Sequence, residues 1–139
     1  GWVQSPGKER LLNRADEAKL EAYVKGVVGA FANDDRILGW DVWNEPDNKG
    51  GDTEADEAAK VKRVNELLPR VFAWARSARP SQPLTSGVWL GDWSDPAKES
   101  ATTRIQLAES DIISFHDYSW PEVFESRIHA LQVNGHQPG

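Results

Sequence analysis

Three short apolar segments, each ending in polar residues, restrict the folds open to this chain of 139 residues. The first, residues 37–43, reads ILGWDVW and is rich in β-branched and aromatic side chains. A short apolar run without a polar face is typical of a strand buried on both sides, as in a parallel sheet covered by helices. Residues 84–89 and 111–119, LTSGVW and DIISFHDYS, predict two further strands.

Four segments around these strands space their apolar residues as helices do. They cover residues 16–31, 54–78, 103–107 and 121–132. The second of them carries acidic residues early and arginines late, an order that suits the helix dipole. Pro69 lies inside it, so we expect a bend or a division into two helices. Strands that alternate with helices predict an α/β fold with a parallel sheet.

The spacing of the predicted strand ends favours part of a barrel. Glu45, Trp89 and Tyr118 stand at these ends, at intervals not far from the ~31 residues per unit of a (β/α)8 barrel of ~250 residues. A closed barrel needs eight strands, so three predict a single partial TIM-barrel domain spanning 1–139 and cut at both ends. A small three-stranded doubly wound sheet is the alternative. In either case the outer strands leave main-chain groups unpaired, and we expect self-association through these edges.

Composition excludes several classes of partner. The formal net charge of -6 and the sequence pI near 5.0 disfavour nucleic acid, because its phosphates would be repelled. The chain contains no cysteine, which excludes disulfides and thiolate metal sites but leaves the cellular compartment open. No apolar run approaches the roughly 20 residues that a membrane span needs, so we expect no membrane partner. The sequence also lacks methionine, and we expect that residue 1 is not a translation start.

The first predicted strand ends abruptly in Asn44, Glu45 and Pro46. Active sites of parallel α/β folds lie at the carboxyl ends of strands. A glutamate flanked by Trp40 and Trp43 can be partly desolvated, which keeps a carboxyl protonated near neutrality, as a general acid requires. Asn44 can offer its amide to a hydroxyl group or to the glutamate. Considered alone, however, a Glu-Pro pair at a strand end is more often only a turn.

The longer sequence WDVWNEP at 40–46 changes these odds, because it resembles the acid/base motif of clan A glycoside hydrolases. These are retaining (β/α)8 enzymes that include family 5 cellulases and mannanases. The resemblance implies that the three predicted strands are strands 4 to 6 of the barrel, with parallel strands and flanking helices. It also implies that Glu45 is the acid/base, that Asn44 is its hydrogen-bonding neighbour, and that His116 and Tyr118 face the site from the third strand.

Alternation along the strands separates the nearby aspartates from this site. In the third strand His116 and Tyr118 share one face, and Asp117 lies on the other. Asp41 likewise lies opposite its neighbours in the first strand. We therefore expect no catalytic role for either aspartate.

Seven tryptophans are many for this length, and indole faces stack well on sugar rings. Tryptophans at strand ends or in loops are the predicted carbohydrate platforms, namely Trp89, Trp93, Trp120 and Trp2. For Trp74, on the long helix, core packing is favoured. For Trp40, core packing and a role as a carbohydrate platform are equally favoured.

The resemblance implies a second catalytic glutamate, the nucleophile at the end of the seventh strand, and no residue of this sequence matches it. We expect a fragment of a retaining hydrolase of β-linked polysaccharide or oligosaccharide that carries the acid/base Glu45 and is inactive alone. The alternative is a non-catalytic carbohydrate-binding or structural α/β module. A metal hydrolase using Glu45, His116 and Asp117 is disfavoured, since HxH and HExxH spacings do not occur. We expect neither a metal nor an organic cofactor.

Overall fold

The computed structural model describes residues 5–50, 53–93 and 95–133. Its elements follow one another as α1 (Lys8–Leu12), a 3₁₀ turn (Arg14–Asp16), α2 (Glu17–Ala30), β1 (Trp40–Asp41), α3 (Glu54–Ser77), β2 (Leu84–Thr85), α4 (Ala101–Glu109) and α5 (Pro121–Val133). The four helices predicted from apolar spacing are all present, as α2 to α5. The α/β class is confirmed. The short helix α1 was not predicted.

The long helix α3 has a sequence that explains both of its ends. Thr53 caps the first turn, because its hydroxyl accepts a hydrogen bond from the backbone N–H of Asp56 at 3.1 Å. Acidic side chains occupy the first turn and Arg76 the last, which complements the helix dipole. These end signals agree with the predicted boundaries.

Pro69 lies inside α3 without dividing it. The helix is continuous, so the predicted division into two helices is wrong, whereas the bend stays a prediction. An interior proline costs a helix about 3 kcal/mol. The adjacent side chains of Leu67, Leu68, Val71 and Phe72 are at most 5% exposed, and burial of each contributes about 1.5 to 3 kcal/mol. Packing on both sides of the proline therefore outweighs its local cost.

The described strands pair in parallel, in chain order. Trp40 lies opposite Leu84 and Asp41 opposite Thr85. The pairing continues beyond β1, where the N–H of Val42 donates to the carbonyl of Thr85 at 2.9 Å. The carboxyl ends of β1 and β2 therefore lie at the same edge.

The third predicted strand is reduced to one parallel bridge between Val88 and Phe115. Val88 donates its N–H to the carbonyl of Ser114 at 3.0 Å and accepts from the N–H of His116 at 2.8 Å. The carbonyl of Leu84 likewise accepts from Asp111 at 2.8 Å. Since the carbonyl of Thr85 faces β1 and that of Leu84 faces this segment, β2 lies in the middle. The predicted parallel order is present, but the ladder is shorter than expected.

The core forms around α3, which packs against α1, α2, α4 and the sheet. Its buried residues contact α1 on one side and α2 and β2 on the other, and Trp74 is among them, as predicted. A further cluster supports the end of β2 and consists of Val88, Trp93, Leu107 and Leu131. Within the described ranges, no helix is long and apolar enough to cross a membrane.

A buried arginine joins the three N-terminal helices. Arg63, 5% exposed, donates from Nε to the carbonyl of Leu11 at 3.1 Å and from Nη2 to the carboxylate of Glu17 at 2.7 Å. The hydrogen bond from Arg63 lowers the pKa of Glu17 below its ordinary value of 4.5, and Arg70 acts in the same direction. The ionised carboxylate therefore stabilises the folded state.

Glu17→Gln is expected to lower the free energy of unfolding by about 1.5 to 3 kcal/mol near neutral pH, because Arg63 stays buried with a weaker partner. A lowered folded-state pKa means that the contribution of Glu17 is complete above the ordinary pKa. It is lost as the pH falls through the folded-state value. Urea denaturation of both proteins at neutral and at acid pH measures this difference.

Glu21→Gln is the matched control, since Glu21 lies on the same helix in an exposed pair with Lys25. It is expected to change the free energy of unfolding by less than about 0.5 kcal/mol at either pH. A Glu17→Gln effect no larger than the control, or one undiminished in acid, would contradict the assignment.

Candidate active site

The chain turns sharply at the carboxyl end of β1. Glu45 has a φ of 45°, in the left-handed region that residues with a Cβ rarely adopt. Asn48 closes the turn by donating its N–H to the carbonyl of Glu45 at 3.0 Å. Pro46 is buried and restricts the chain directly after the glutamate. The apolar run ends here because the backbone leaves the extended conformation.

Glu45 and His116 meet at this edge, although 71 residues separate them in sequence. Nδ1 of His116 contacts Oε1 of Glu45, and the two side chains are 31% and 14% exposed. The other carboxyl oxygen of Glu45, Oε2, accepts a hydrogen bond from the side-chain amide of Asn48 at 2.8 Å. Each oxygen of the carboxyl therefore has a partner that restricts its rotation.

Three polar side chains converge over Gly87, just beyond β2. From the position that a Cβ would take on Gly87, Nε2 of His116 lies at 3.2 Å, and Oδ1 of Asn44 and Oδ2 of Asp41 each lie at 3.3 Å. A residue without a side chain leaves room for this approach. The structure thus brings the predicted residues Asn44, Glu45 and His116 to one edge of the sheet.

Asp41 also lies in this group, although the sequence analysis gave it no part in the site. Its Oδ1 accepts a hydrogen bond from the N–H of Trp43 at 3.2 Å. Although part of the residue is exposed, burial of the carboxyl raises its pKa, against the opposing effects of backbone amides and of His116.

Asp117 is held by groups outside this cluster. Its Oδ1 accepts the N–H of Ser119 at 2.8 Å, and its Oδ2 lies 3.3 Å from Nη1 of Arg127. Hydrogen bonding from Ser119 lowers the pKa of this carboxyl. Asp117 is therefore committed to a local turn and to α5.

Buried hydrogen bonds hold the strand ends beneath the site. Gln106, 1% exposed on α4, donates to the carbonyl of Gly87 at 2.8 Å and to the hydroxyl of Ser86 at 3.2 Å. The hydroxyl of Ser86 donates in turn to the carbonyl of Trp43 at 2.6 Å. The position of Gly87 relative to the end of β1 is therefore set by buried groups.

Exposed aromatic rings lie next to these strand ends. The rings of Trp89 and Tyr118 meet edge to face, with centroids 6.4 Å apart and planes at 88°. Tyr118 is 82% exposed and Trp120 is 80% exposed. Aromatic surface left open to this extent is available to a ligand.

Trp93 lies in the core instead. It is 1% exposed, its ring packs 5.0 Å from that of Phe115, and the guanidinium of Arg127 lies 5.1 Å above it. The predicted platform role of Trp93 is therefore wrong for this structure, because neither ring face reaches the surface. Trp2 lies outside the described residues.

The arrangement at the strand ends suits proton transfer. A carboxyl held between an imidazole and an amide, and open on one side, can both donate and accept a proton. Among the residues that the structure describes, no group of three or more His, Asp or Glu side chains could hold a metal ion.

A carboxyl, an imidazole and aromatic rings at the carboxyl ends of parallel strands place the chain in the class of α/β enzymes that react at that edge. The model of one protein family, the cellulases of glycosyl hydrolase family 5, matches residues 4–136. The chain belongs to this family, which confirms the resemblance carried by WDVWNEP. It is a glycoside hydrolase domain, and the family implies a carbohydrate substrate. Comparisons with curated proteins and with solved structures gave no match.

Sequence reasoning missed three residues of the site, namely Asp41, Asn48 and Gly87. Two of them carried a signal. An asparagine three residues after Glu45 is typical of a turn that bonds back to its first residue. A glycine inside a predicted strand, as in TSGVW, often marks the close approach of another group.

Gly87→Ala is expected to displace the side chains of His116 and Asn44 and to lower the free energy of unfolding by about 1 to 3 kcal/mol. The reason is that the new methyl group meets three polar atoms at once. Denaturation measures the stability, and the imidazole nitrogen shifts of His116 in nuclear magnetic resonance report the displacement.

Gly26→Ala on α2 is the matched control, because no atom lies within 4 Å of the position that its Cβ would take. It is expected to raise the free energy of unfolding by about 1 kcal/mol. If Gly87→Ala behaved like Gly26→Ala, the packing of the site over Gly87 would be refuted.

Proposed function

We propose that this domain supplies the acid/base half of a retaining glycoside hydrolase that acts on β-linked polysaccharide or oligosaccharide. The contact between Glu45 and His116 supports this proposal most directly, because it joins the family motif to the third segment at the carboxyl ends of the strands. This contact comes from the fold, since the sequence of the motif alone does not contain it.

The polar residues at the carboxyl ends of the strands have different roles in the proposed reaction. Glu45 protonates the leaving glycosidic oxygen and then takes a proton from the water that releases the glycosyl-enzyme. His116 and Asn44 orient this carboxyl and the sugar hydroxyls around it. Tyr118 contacts the substrate from the third segment.

The aromatic rings provide the substrate platform in this proposal. Trp89 and Trp120 stack against sugar rings, since their faces suit the C–H surface of a pyranose. Trp2 is a further candidate from the sequence alone. No nucleic acid or membrane surface is a proposed partner, in keeping with the acidic net charge of -6.

We further propose a partial barrel as the architecture, one domain over 1–139 in which the described strands correspond to strands 4 to 6. The main-chain groups at its outer strands favour self-association. The sequence offers no residue that matches the nucleophile, and an acid/base residue alone cannot form the covalent intermediate.

The chain alone is expected to show no turnover of aryl β-glycosides, because the covalent step needs the nucleophile. Release of the aryl group, followed by absorbance, measures this. Robust turnover that Glu45→Gln abolishes and Glu54→Gln leaves intact would overturn the proposed inactivity while supporting the role of Glu45.

The alternative function is a non-catalytic carbohydrate-binding module, which the exposure of Tyr118 and Trp120 favours. An oligosaccharide whose glycosidic oxygen is replaced by a basic nitrogen distinguishes the binding module from a hydrolase domain. A proton donor placed for catalysis forms a charge-assisted hydrogen bond with that nitrogen, worth roughly tenfold or more in affinity. A binding module has no such preference.

Calorimetric titration is expected to show tighter binding of the nitrogen analogue than of the parent oligosaccharide, and Glu45→Gln is expected to remove the difference. Trp120→Ala should weaken both ligands about tenfold by removing a stacking surface. Tyr23→Ala, an exposed aromatic on α2, is the control and should change neither. Equal binding of the two ligands by the unmodified chain would favour the binding module.

A further inference from the structure

Lys60 is a buried cation behind the acid/base turn. It lies on α3 and is 2% exposed. Its Nζ donates a hydrogen bond to the backbone carbonyl of Asn48, in the loop that follows Glu45. Burial of an ammonium group is costly, and a lysine is seldom fully buried without a specific partner.

Two carboxylates lie near Lys60, one of them buried and the other partly buried. Asp47 is 6% exposed, and its Oδ1 has no hydrogen-bond partner among the described residues. The carboxylate of Glu57 lies 4.0 Å from Nζ of Lys60 and accepts the N–H of Gly50 at 3.1 Å. Burial raises the pKa of Asp47 and lowers that of Lys60, while each partly offsets the effect on the other. The loop is thus tied to α3 by polar groups, among which Lys60 is buried and Glu57 partly buried.

Asn48 connects this cluster to the site. Its side-chain amide donates to Oε2 of Glu45 at 2.8 Å, and its backbone N–H donates to the carbonyl of the same residue at 3.0 Å. The residue whose carbonyl Lys60 holds is therefore the one that holds the carboxyl of Glu45. One continuous set of hydrogen bonds runs from α3 to the proposed acid/base.

We propose that Lys60 is a positioning residue for the acid/base carboxyl. It keeps Asn48 in place, and Asn48 keeps the left-handed turn at Glu45 closed with Oε2 occupied and Oε1 directed at His116. This inference rests on the proposed function for its catalytic meaning. In physical terms it says that the side chain of Lys60 helps to fix the position of the Glu45 carboxyl, whether or not a substrate is bound.

A lysine that served only to fill space would not need this geometry. Apart from Lys60 and Arg63, the buried residues of α3 are leucine, valine, phenylalanine, tryptophan and alanine, which pack without the cost of burying a charge. Arg63, the other buried cation of this helix, holds α1 and α2. Lys60 contacts the acid-bearing loop.

Lys60→Met tests the coupling in the full 139-residue chain. We expect hydrogen exchange at the backbone amide of Asn48 to rise roughly tenfold or more, because the bond that keeps its loop closed is lost. The imidazole nitrogen shifts of His116 should move with it as the contact to Glu45 loosens. Amides in the centre of α3, at Leu67 and Leu68, should keep their protection.

Lys62→Met is the matched control, since Lys62 is exposed on the same helix and should change none of these signals. If Lys60→Met does not fold, Lys60→Leu replaces it, since it likewise removes the donor, and the same readouts decide. The proposal is overturned if Asn48 and His116 respond as in the control. It is overturned equally if Leu67 and Leu68 lose protection to the same extent, which would make Lys60 a residue of general stability.

These measurements use no substrate. A control-like response of Asn48 and His116 in Lys60→Met would therefore refute the role of Lys60 and leave the proposed function standing. An intact coupling in a chain that fails to prefer the basic oligosaccharide would refute the proposed function alone.

Discussion

Parallel hydrogen bonding through β2 is the constraint on which the site depends. Val42 donates to Thr85 on one side of β2, and His116 donates to Val88 on the other. These bonds bring the ends of three segments to one edge in a defined register. A shift of one residue in the third segment would turn His116 to the opposite face and remove its contact with Glu45. The site is therefore a consequence of strand register, although few of its residues lie inside a strand.

The sequence predicted the helices better than the strands, for a physical reason. Helical hydrogen bonds are local, so the spacing of apolar residues in α2 and α3 contains most of what determines them. Strand hydrogen bonds need a partner elsewhere in the chain. ILGWDVW has the composition of a strand along its whole length, but only Trp40 and Asp41 pair in a ladder. At Pro69 the sequence signal was overridden by burial of the neighbouring side chains.

The predictions about the site failed where a side chain meets residues that are distant in sequence. Alternation set Asp41 opposite Trp40 and Val42 and gave it no part in the site, yet its carboxyl reaches Gly87, a residue beyond β2 that has no side chain. Trp93 stands in a loop by sequence but is enclosed by Phe115 and Arg127, which come from a segment 22 or more residues later. Neither contact is visible in a local pattern. The motif predicted the family correctly, because a family motif records the outcome of such contacts.

The turn at Glu45 shows how such a site is kept in an unfavourable conformation. A residue with a Cβ at positive φ costs on the order of 1 kcal/mol or more, and a buried ammonium behind it adds a desolvation cost. Hydrogen bonds from Asn48 and the contact with His116 offset these costs only while the turn is closed. The backbone strain at Glu45 is therefore offset only in the arrangement that forms these hydrogen bonds. The carboxyl of Glu45 has one preferred position as a result. The role proposed for Glu45 as a proton donor needs this property, because a glycosidic oxygen can be protonated along only a narrow range of approach.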